Sequence, residues 1–147
     1  MNSLPTRLNL SKRGMNICPK CPTCDQEVES IPQSLIYYES ARHVWRMWMG
    51  CPINFGADLW DFTDVALKIL HDGTTQDLEI FSVTAWSIWY SRNQNVFENT
   101  NHSPEQVWSI PKALWWDYKE PDALCNRSQH HETIRWEAPP LECTRLM

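Results

Sequence analysis

The chain has 147 residues, of which 42% are hydrophobic and nine are tryptophans, so it can bury a core and lacks the composition of a disordered chain. Its net charge of −5 is unevenly spread: residues 1–20 carry +4 and the remainder carries −9. A protein that binds duplex nucleic acid along its length should be basic, so only the first twenty residues fit such a role, and a solvated basic face is the alternative.

The sequence has neither the apolar core of a secretory signal nor a segment long enough to cross a membrane. We therefore expect a cytoplasmic or nuclear protein with no membrane contact. In such a reducing compartment the six cysteines should be thiols or metal ligands and not disulfides.

The first predicted element is a short helix in "LPTRLNLSKRG", with Thr6 as N-cap and Gly14 just beyond its end. A cysteine-rich knuckle follows, and "SIPQSLIYYE" then forms an apolar connector of no clear type. The next helix is predicted in "SARHVWRMWMG", with Ser40 as its N-cap.

The second half of the chain carries stronger helical patterns. "ADLWDFTDVALKILHDG" predicts a helix that Asp58 caps and Gly73 ends. "TTQDLEIFSVTAWSIWYSRNQNVFEN" predicts the longest and most central helix, whose apolar face is widened by Trp86 and Phe97 and also includes Leu78, Phe81, Ala85, Ile88 and Val96. Core packing is the favoured role for Trp86 over base stacking. Arg92 is expected to pair with a carboxylate in the bundle, with contact to RNA as the weaker option.

The last helix has a clear start signal, because Ser103 can cap it, Pro104 suits its first turn and Gln106 completes a capping box. Pro111 should kink or split it. Of the neighbours Trp115 and Trp116, one is expected to be exposed, since adjacent helical residues point to different faces. Strand patterns are nearly absent, so we predict an all-α fold: a small irregular helical bundle with an N-terminal cysteine knuckle and a disordered C-terminal tail.

Several of these segments together suggest a family. The order of "LPTRLNLSKRG", "CPTC", Glu29 and "ESARHVW" resembles the zinc-binding region of plant non-LTR retrotransposon reverse transcriptases, which lies between the polymerase and a ribonuclease H domain. "AWSIWYSRNQNVFE" is similar to the helix that follows, and "RWEAPP" resembles the start of the ribonuclease H domain. The resemblance implies a partial zinc-binding region at 1–56, a helical connector at 57–121 and, at 122–147, a tail that leads to a ribonuclease H domain beyond the chain.

The resemblance also implies a ligand set for zinc. Cys21 and Cys24 match the first two ligands, whereas Gln33 and Tyr38 stand where the family has histidine and cysteine. An amide is a poor donor and a tyrosine phenol has an ordinary pKa near 10, so both are weak replacements.

Cys18 supplies a third thiol, and His43 or Cys51 are candidates for a fourth ligand. Two outcomes follow: a surviving zinc site that includes Cys18, or reduced cysteines in a loosened loop with zinc weak or lost. In the second case, residues 1–38 are expected to lose order along with the metal.

No phosphate-binding loop, nucleophile elbow or HExxH motif is present, and the carboxylates of a ribonuclease H domain lie beyond the chain, so we expect no enzymatic activity. The sequence favours a non-enzymatic, retrotransposon-derived fragment with at most residual binding of zinc or single-stranded nucleic acid. A helical module that binds a protein partner or itself through exposed aromatics is one alternative. A decayed reading frame with no selected function is the other.

Overall fold

The computed structural model describes residues 4–55 and 61–119. These residues form five α-helices and a π-helix, and Lys20 and Val28 make an isolated antiparallel bridge. The predicted all-α class is confirmed, while the predicted tail at 122–147 lies outside the described residues. The elements in chain order are α1 Arg7–Lys12, the π-helix Gln33–Tyr37, α2 Glu39–Arg46, α3 Phe62–Asp72, α4 Thr75–Glu98 and α5 Pro104–Lys119.

Helix α1 begins and ends where the sequence predicts. The Thr6 hydroxyl accepts a hydrogen bond from the Asn9 amide at 3.4 Å. Gly14 follows the C-cap Arg13 and has a φ of +88°, a left-handed conformation that glycine adopts without strain.

The connector between the knuckle and α2 is a π-helix, which no pattern in the sequence predicts. Its C-terminal carbonyls lack helical partners, and the buried Trp45 indole donates a hydrogen bond to one of them, the Leu35 oxygen, at 2.8 Å. The prediction of Ser40 as N-cap is wrong. Helix α2 begins at Glu39, and Tyr38 precedes it without a capping side-chain hydrogen bond.

Helix α3 starts later than predicted. Asp58 lies outside the described residues, and Asp61 caps the helix by accepting a hydrogen bond from the Phe62 amide at 2.8 Å. Gly73 ends α3 as predicted. A Cβ at Gly73 would lie 2.9 Å from the Ile69 carbonyl oxygen and 2.9 Å from the Pro52 ring, so only glycine fits there.

Helix α4 crosses the centre of the bundle, as its pattern predicts. Thr74 and Asp77 form a capping box at its start. Phe81 lies at the middle of the core, where its ring stacks on Trp45 with centroids 5.2 Å apart and on Phe62 at 5.1 Å. The buried core also contains Leu35, Ile36, Ala41, Val44, Trp48, Val65, Ile69, Ile80, Ala85, Ile88, Val107 and Trp108.

Helix α5 packs along α4. The predicted capping box is confirmed: the Ser103 amide donates to the Gln106 side-chain oxygen at 2.8 Å, and the Gln106 amide donates to the Ser103 hydroxyl at 3.3 Å. Pro111 does not split the helix, which continues from Pro104 to Lys119 with the proline ring buried.

Two aromatic residues of α4 are not where the sequence predicts. Trp86 is 55% exposed and Phe97 is 78% exposed, so neither widens the buried face. Trp116 is exposed and Trp115 packs against the core, which confirms the expected split between these neighbours. None of the helices in the described ranges has the length and apolar character needed to span a bilayer.

Candidate functional site: the cysteine knuckle and its anchor

The segment that carries the cysteines is a small hairpin. Its base is closed by the Glu29 amide, which donates to the Pro19 carbonyl at 2.9 Å, and its tip by the Cys21 amide, which donates to the Glu27 carbonyl at 2.7 Å. Asp25 has a φ of +53°, a left-handed conformation that turns the chain sharply after Cys24. The motif Cys21-Pro-Thr-Cys24 therefore occupies the tip of a tight turn.

The two thiols at this tip are close enough to interact. Backbone N–H groups of Glu27 and Gln26 donate hydrogen bonds to the Cys24 sulfur and lower its pKa below the ordinary value, with a further contribution from the Cys21 thiol. Burial acts in the opposite direction but is the weaker influence. The turn thus places Cys24, with its lowered pKa, beside the buried Cys21.

Tyr38 lies beside this pair of cysteines. Burial is the main cause of its raised pKa, and its electrostatic interactions with Cys21 and Cys24 raise that pKa further. Gln33, on the π-helix, is buried, and its side-chain oxygen has no hydrogen-bond partner among the described residues. An unpartnered buried carbonyl oxygen is unfavourable.

The other candidate ligands are elsewhere. Cys18 is exposed, and His43 is exposed on α2. Cys51 is half-buried, and burial raises its pKa to about 11. Across residues 4–55 and 61–119, no three His, Cys, Asp or Glu side chains come together in a way that could hold a metal ion.

Within the described residues, the knuckle does not supply the full donor set of a structural zinc site. Such a site takes four thiolate, imidazole or carboxylate donors, and the tip of the turn supplies two. Tyr38 holds its proton more firmly than a free phenol, and the Gln33 oxygen is neutral. The weak or lost zinc expected from the sequence remains a prediction.

A buried ion pair fixes the knuckle to the bundle. Glu29 is fully buried and receives both arms of the Arg92 guanidinium from α4: Nε donates to Oε1 at 2.6 Å and Nη2 donates to Oε2 at 2.7 Å. The Arg7 amide donates to Oε2 at 2.8 Å, so three donors surround one carboxylate. Glu29 consequently joins α1, the knuckle and α4.

Arg92 itself is held from several sides. Its Nη1 donates to the Asn93 side-chain oxygen at 2.9 Å, and its guanidinium carbon lies 5.0 Å from the centre of the Trp89 ring. The predicted pairing of Arg92 with a carboxylate is confirmed, although the partner is in the knuckle segment and not on a bundle helix. The knuckle segment is therefore tied to α4 through Glu29 and Arg92.

A small cavity lies between the knuckle and the bundle, with a volume of about 90 Å³. Its lining includes Thr23 from the turn, Tyr38, and Asn101 and His102 from the loop before α5. The Nδ1 atom of His102 is buried and has no hydrogen-bond partner within residues 4–55 and 61–119. No Asp, Glu or Cys occurs among its described lining residues, so the cavity offers hydrogen bonds to a small polar group and not a carboxylate or thiolate for catalysis.

Sequence reasoning identified Cys21, Cys24, Gln33, Tyr38 and Arg92 but not the role of Glu29. Glu29 is one of three acids in "DQEVES" and nothing local distinguishes it from Asp25 and Glu27, because its burial depends on an arginine 63 residues away. Comparison with known proteins adds nothing to this description, since no family model, curated protein or solved structure matches the chain.

Proposed function

We propose that this chain is a non-enzymatic binding module derived from the zinc-binding region of a plant non-LTR retrotransposon reverse transcriptase. The observation that carries the proposal is the anchored knuckle, in which Glu29 and Arg92 join the turn of Cys21 and Cys24 to the bundle. Two segments resemble the family independently of each other, the cysteine turn and the helix around "SRNQ". The ion pair joins these two segments.

The position of Tyr38 supports the same proposal. It lies beside Cys21 and Cys24, as a residue that replaces a metal ligand would. The incomplete donor set leaves zinc binding weak or lost, so the module relies on the ion pair where the family relies on metal.

Any residual nucleic-acid binding would use the basic N-terminal segment. Lys12, Arg13 and Lys20 are exposed there, next to the knuckle. The rest of the chain is acidic, so we expect weak binding to single-stranded nucleic acid that vanishes as salt rises.

Titration of a fluorescent single-stranded RNA with the full chain at low salt tests this function. Binding that is weakened by Lys12→Ala/Lys20→Ala but not by Lys112→Ala, an exposed lysine on α5, would support it. Absence of binding at low salt, or an equal effect of Lys112→Ala, would remove nucleic acid from the proposal.

A second candidate function, a helical protein-interaction module, is favoured by the exposed aromatic side chains of α4. Trp86 and Tyr90 are stacked with ring centroids 5.4 Å apart, and both are about half exposed. An environment-sensitive apolar dye should bind there, and Trp86→Lys/Tyr90→Lys should abolish its fluorescence gain. Unchanged dye binding in that variant would count against an interaction face on α4.

A further inference from the structure

Helices α4 and α5 share an exposed apolar surface, which we call the α4–α5 patch and define by Trp86, Tyr90, Phe97 and Ile110. These side chains are 55%, 49%, 78% and 55% exposed. Trp86, Tyr90 and Ile110 line a groove of about 170 Å³ between the two helices. Phe97 follows Tyr90 by seven residues and so continues the same stripe of α4.

The patch is uncharged. Between Ile80 and Phe97 the only charged residue is Arg92, whose side chain is 11% exposed and is paired with Glu29. The described lining of the groove contains no Asp, Glu, Lys or Arg. A nucleic acid or a strongly charged protein would therefore gain no electrostatic attraction at this surface.

An uncharged surface can pack against a second copy of itself without charge repulsion. This property is relevant because the chain as a whole has a net charge of −5. Two copies repel wherever their acidic surfaces meet, but not at the α4–α5 patch. An isologous contact places the same patch of each copy against the other, so self-complementarity is the property that it requires.

The size and spacing of the patch suit such a contact. Three large aromatic side chains and an isoleucine, each about half exposed or more, present on the order of 500 Å². Two copies would then bury about 1,000 Å² in total, which is the lower limit for a biological interface and suits a reversible dimer. The separations of Trp86, Tyr90 and Phe97, four and seven residues, repeat along one seam of a helix as in paired helices.

A buried hydroxyl beneath the patch also favours an apolar partner at this surface. Ser87 is 5% exposed and lines the groove, yet its hydroxyl has no hydrogen-bond partner in the part of the chain that the structure describes. The groove floor is thus already desolvated, so covering it with an apolar side chain sacrifices no hydrogen bond of the Ser87 hydroxyl to water.

We propose that two copies of this chain associate through the α4–α5 patch as a twofold-symmetric dimer. This inference rests on the interaction module described as the second candidate function, and it names the partner. Tyr90 and Trp86 of each copy supply the buried centre of the contact, and Phe97 and Ile110 flank it.

Sedimentation velocity of the full chain from about 1 to 100 µM tests the proposal directly. We expect a reversible dimer in the wild type and a dissociation constant raised by about tenfold or more in Trp86→Lys/Tyr90→Lys. The matched control is Leu67→Lys/Leu70→Lys, which changes two exposed apolar residues of α3 outside the patch and should leave the dimer unchanged.

Far-UV circular dichroism establishes that each variant is folded, and Ile110→Lys on α5 gives the same test if the α4 variant is not. A wild type that stays monomeric over the whole range would overturn the proposal, as would equal weakening in the α3 control. Monomeric protein that still binds the apolar dye at Trp86 and Tyr90 would reject the second copy as partner but keep the interaction module.

Discussion

At the scale of single residues, Glu29 has the largest structural role in the knuckle. Its carboxylate is buried and is balanced by the Arg92 guanidinium and the Arg7 amide. A buried charge that loses its partner is strongly unfavourable, because water cannot replace the missing interaction. We therefore expect this pair to contribute strongly to the stability of the knuckle.

Substitution of Glu29 tests that dependence. Glu29→Gln keeps the shape of the side chain but leaves the buried Arg92 charge unbalanced, so the free energy of unfolding should fall by about 3 to 5 kcal/mol. Urea denaturation followed by circular dichroism measures this change.

Two further variants show whether the loss of stability in Glu29→Gln is specific to the buried ion pair. Glu98→Gln alters an exposed acid at the end of α4 and should change the free energy of unfolding by less than about 0.5 kcal/mol. Glu29→Met/Arg92→Leu should recover part of the loss, since no buried charge remains. A loss in Glu29→Gln no larger than that in Glu98→Gln would show that the pair does not anchor the knuckle.

At the scale of elements, the sequence predicts helices well and the segments between them poorly. Thr6, Gly73 and Ser103 mark helix ends correctly because a cap is a local interaction that a few neighbouring residues determine. The π-helix and the start of α2 are missed, since they depend on contacts such as that of Trp45 with the Leu35 carbonyl. Trp86 is misassigned because helical spacing locates a stripe without saying what covers it.

The capping box of α4 gives a prediction at this scale. The Thr74 amide donates to the Asp77 carboxylate at 2.8 Å, and the Asp77 amide donates to the Thr74 hydroxyl at 3.2 Å. Thr74→Ala removes the hydroxyl and should lower stability by about 1 kcal/mol, seen as a drop in Tm of a few degrees.

Thr75→Ala is the control for this cap, because the Thr75 side chain makes no hydrogen bond within the described residues and alanine favours a helix. Its Tm should be unchanged or slightly raised. Equal losses of Tm in the two variants would mean that the capping box does not stabilise α4.

At the scale of the whole molecule, a helical bundle holds a two-cysteine turn, and the described residues do not complete a set of metal ligands around it. The fold class follows from helical periodicity, whereas the juxtaposition of Tyr38 with Cys21 and Cys24 is a tertiary feature that no local pattern contains. The resemblance predicts that Tyr38, Cys21 and Cys24 occupy metal-ligand positions. The chemistry of the donors explains why zinc binding should be weak or lost. If the proposed origin is right, replacing the two lost ligands should restore the site.

The most direct test is therefore the zinc content of Gln33→His/Tyr38→Cys compared with the wild type and with Gln33→Ala/Tyr38→Ala. After dialysis against a weak chelator, elemental analysis should find about one zinc per chain in the His/Cys variant and little in the other two, with a higher Tm for the zinc-loaded variant. Metal-free His/Cys protein, or a wild type that already retains one zinc per chain, would contradict the account.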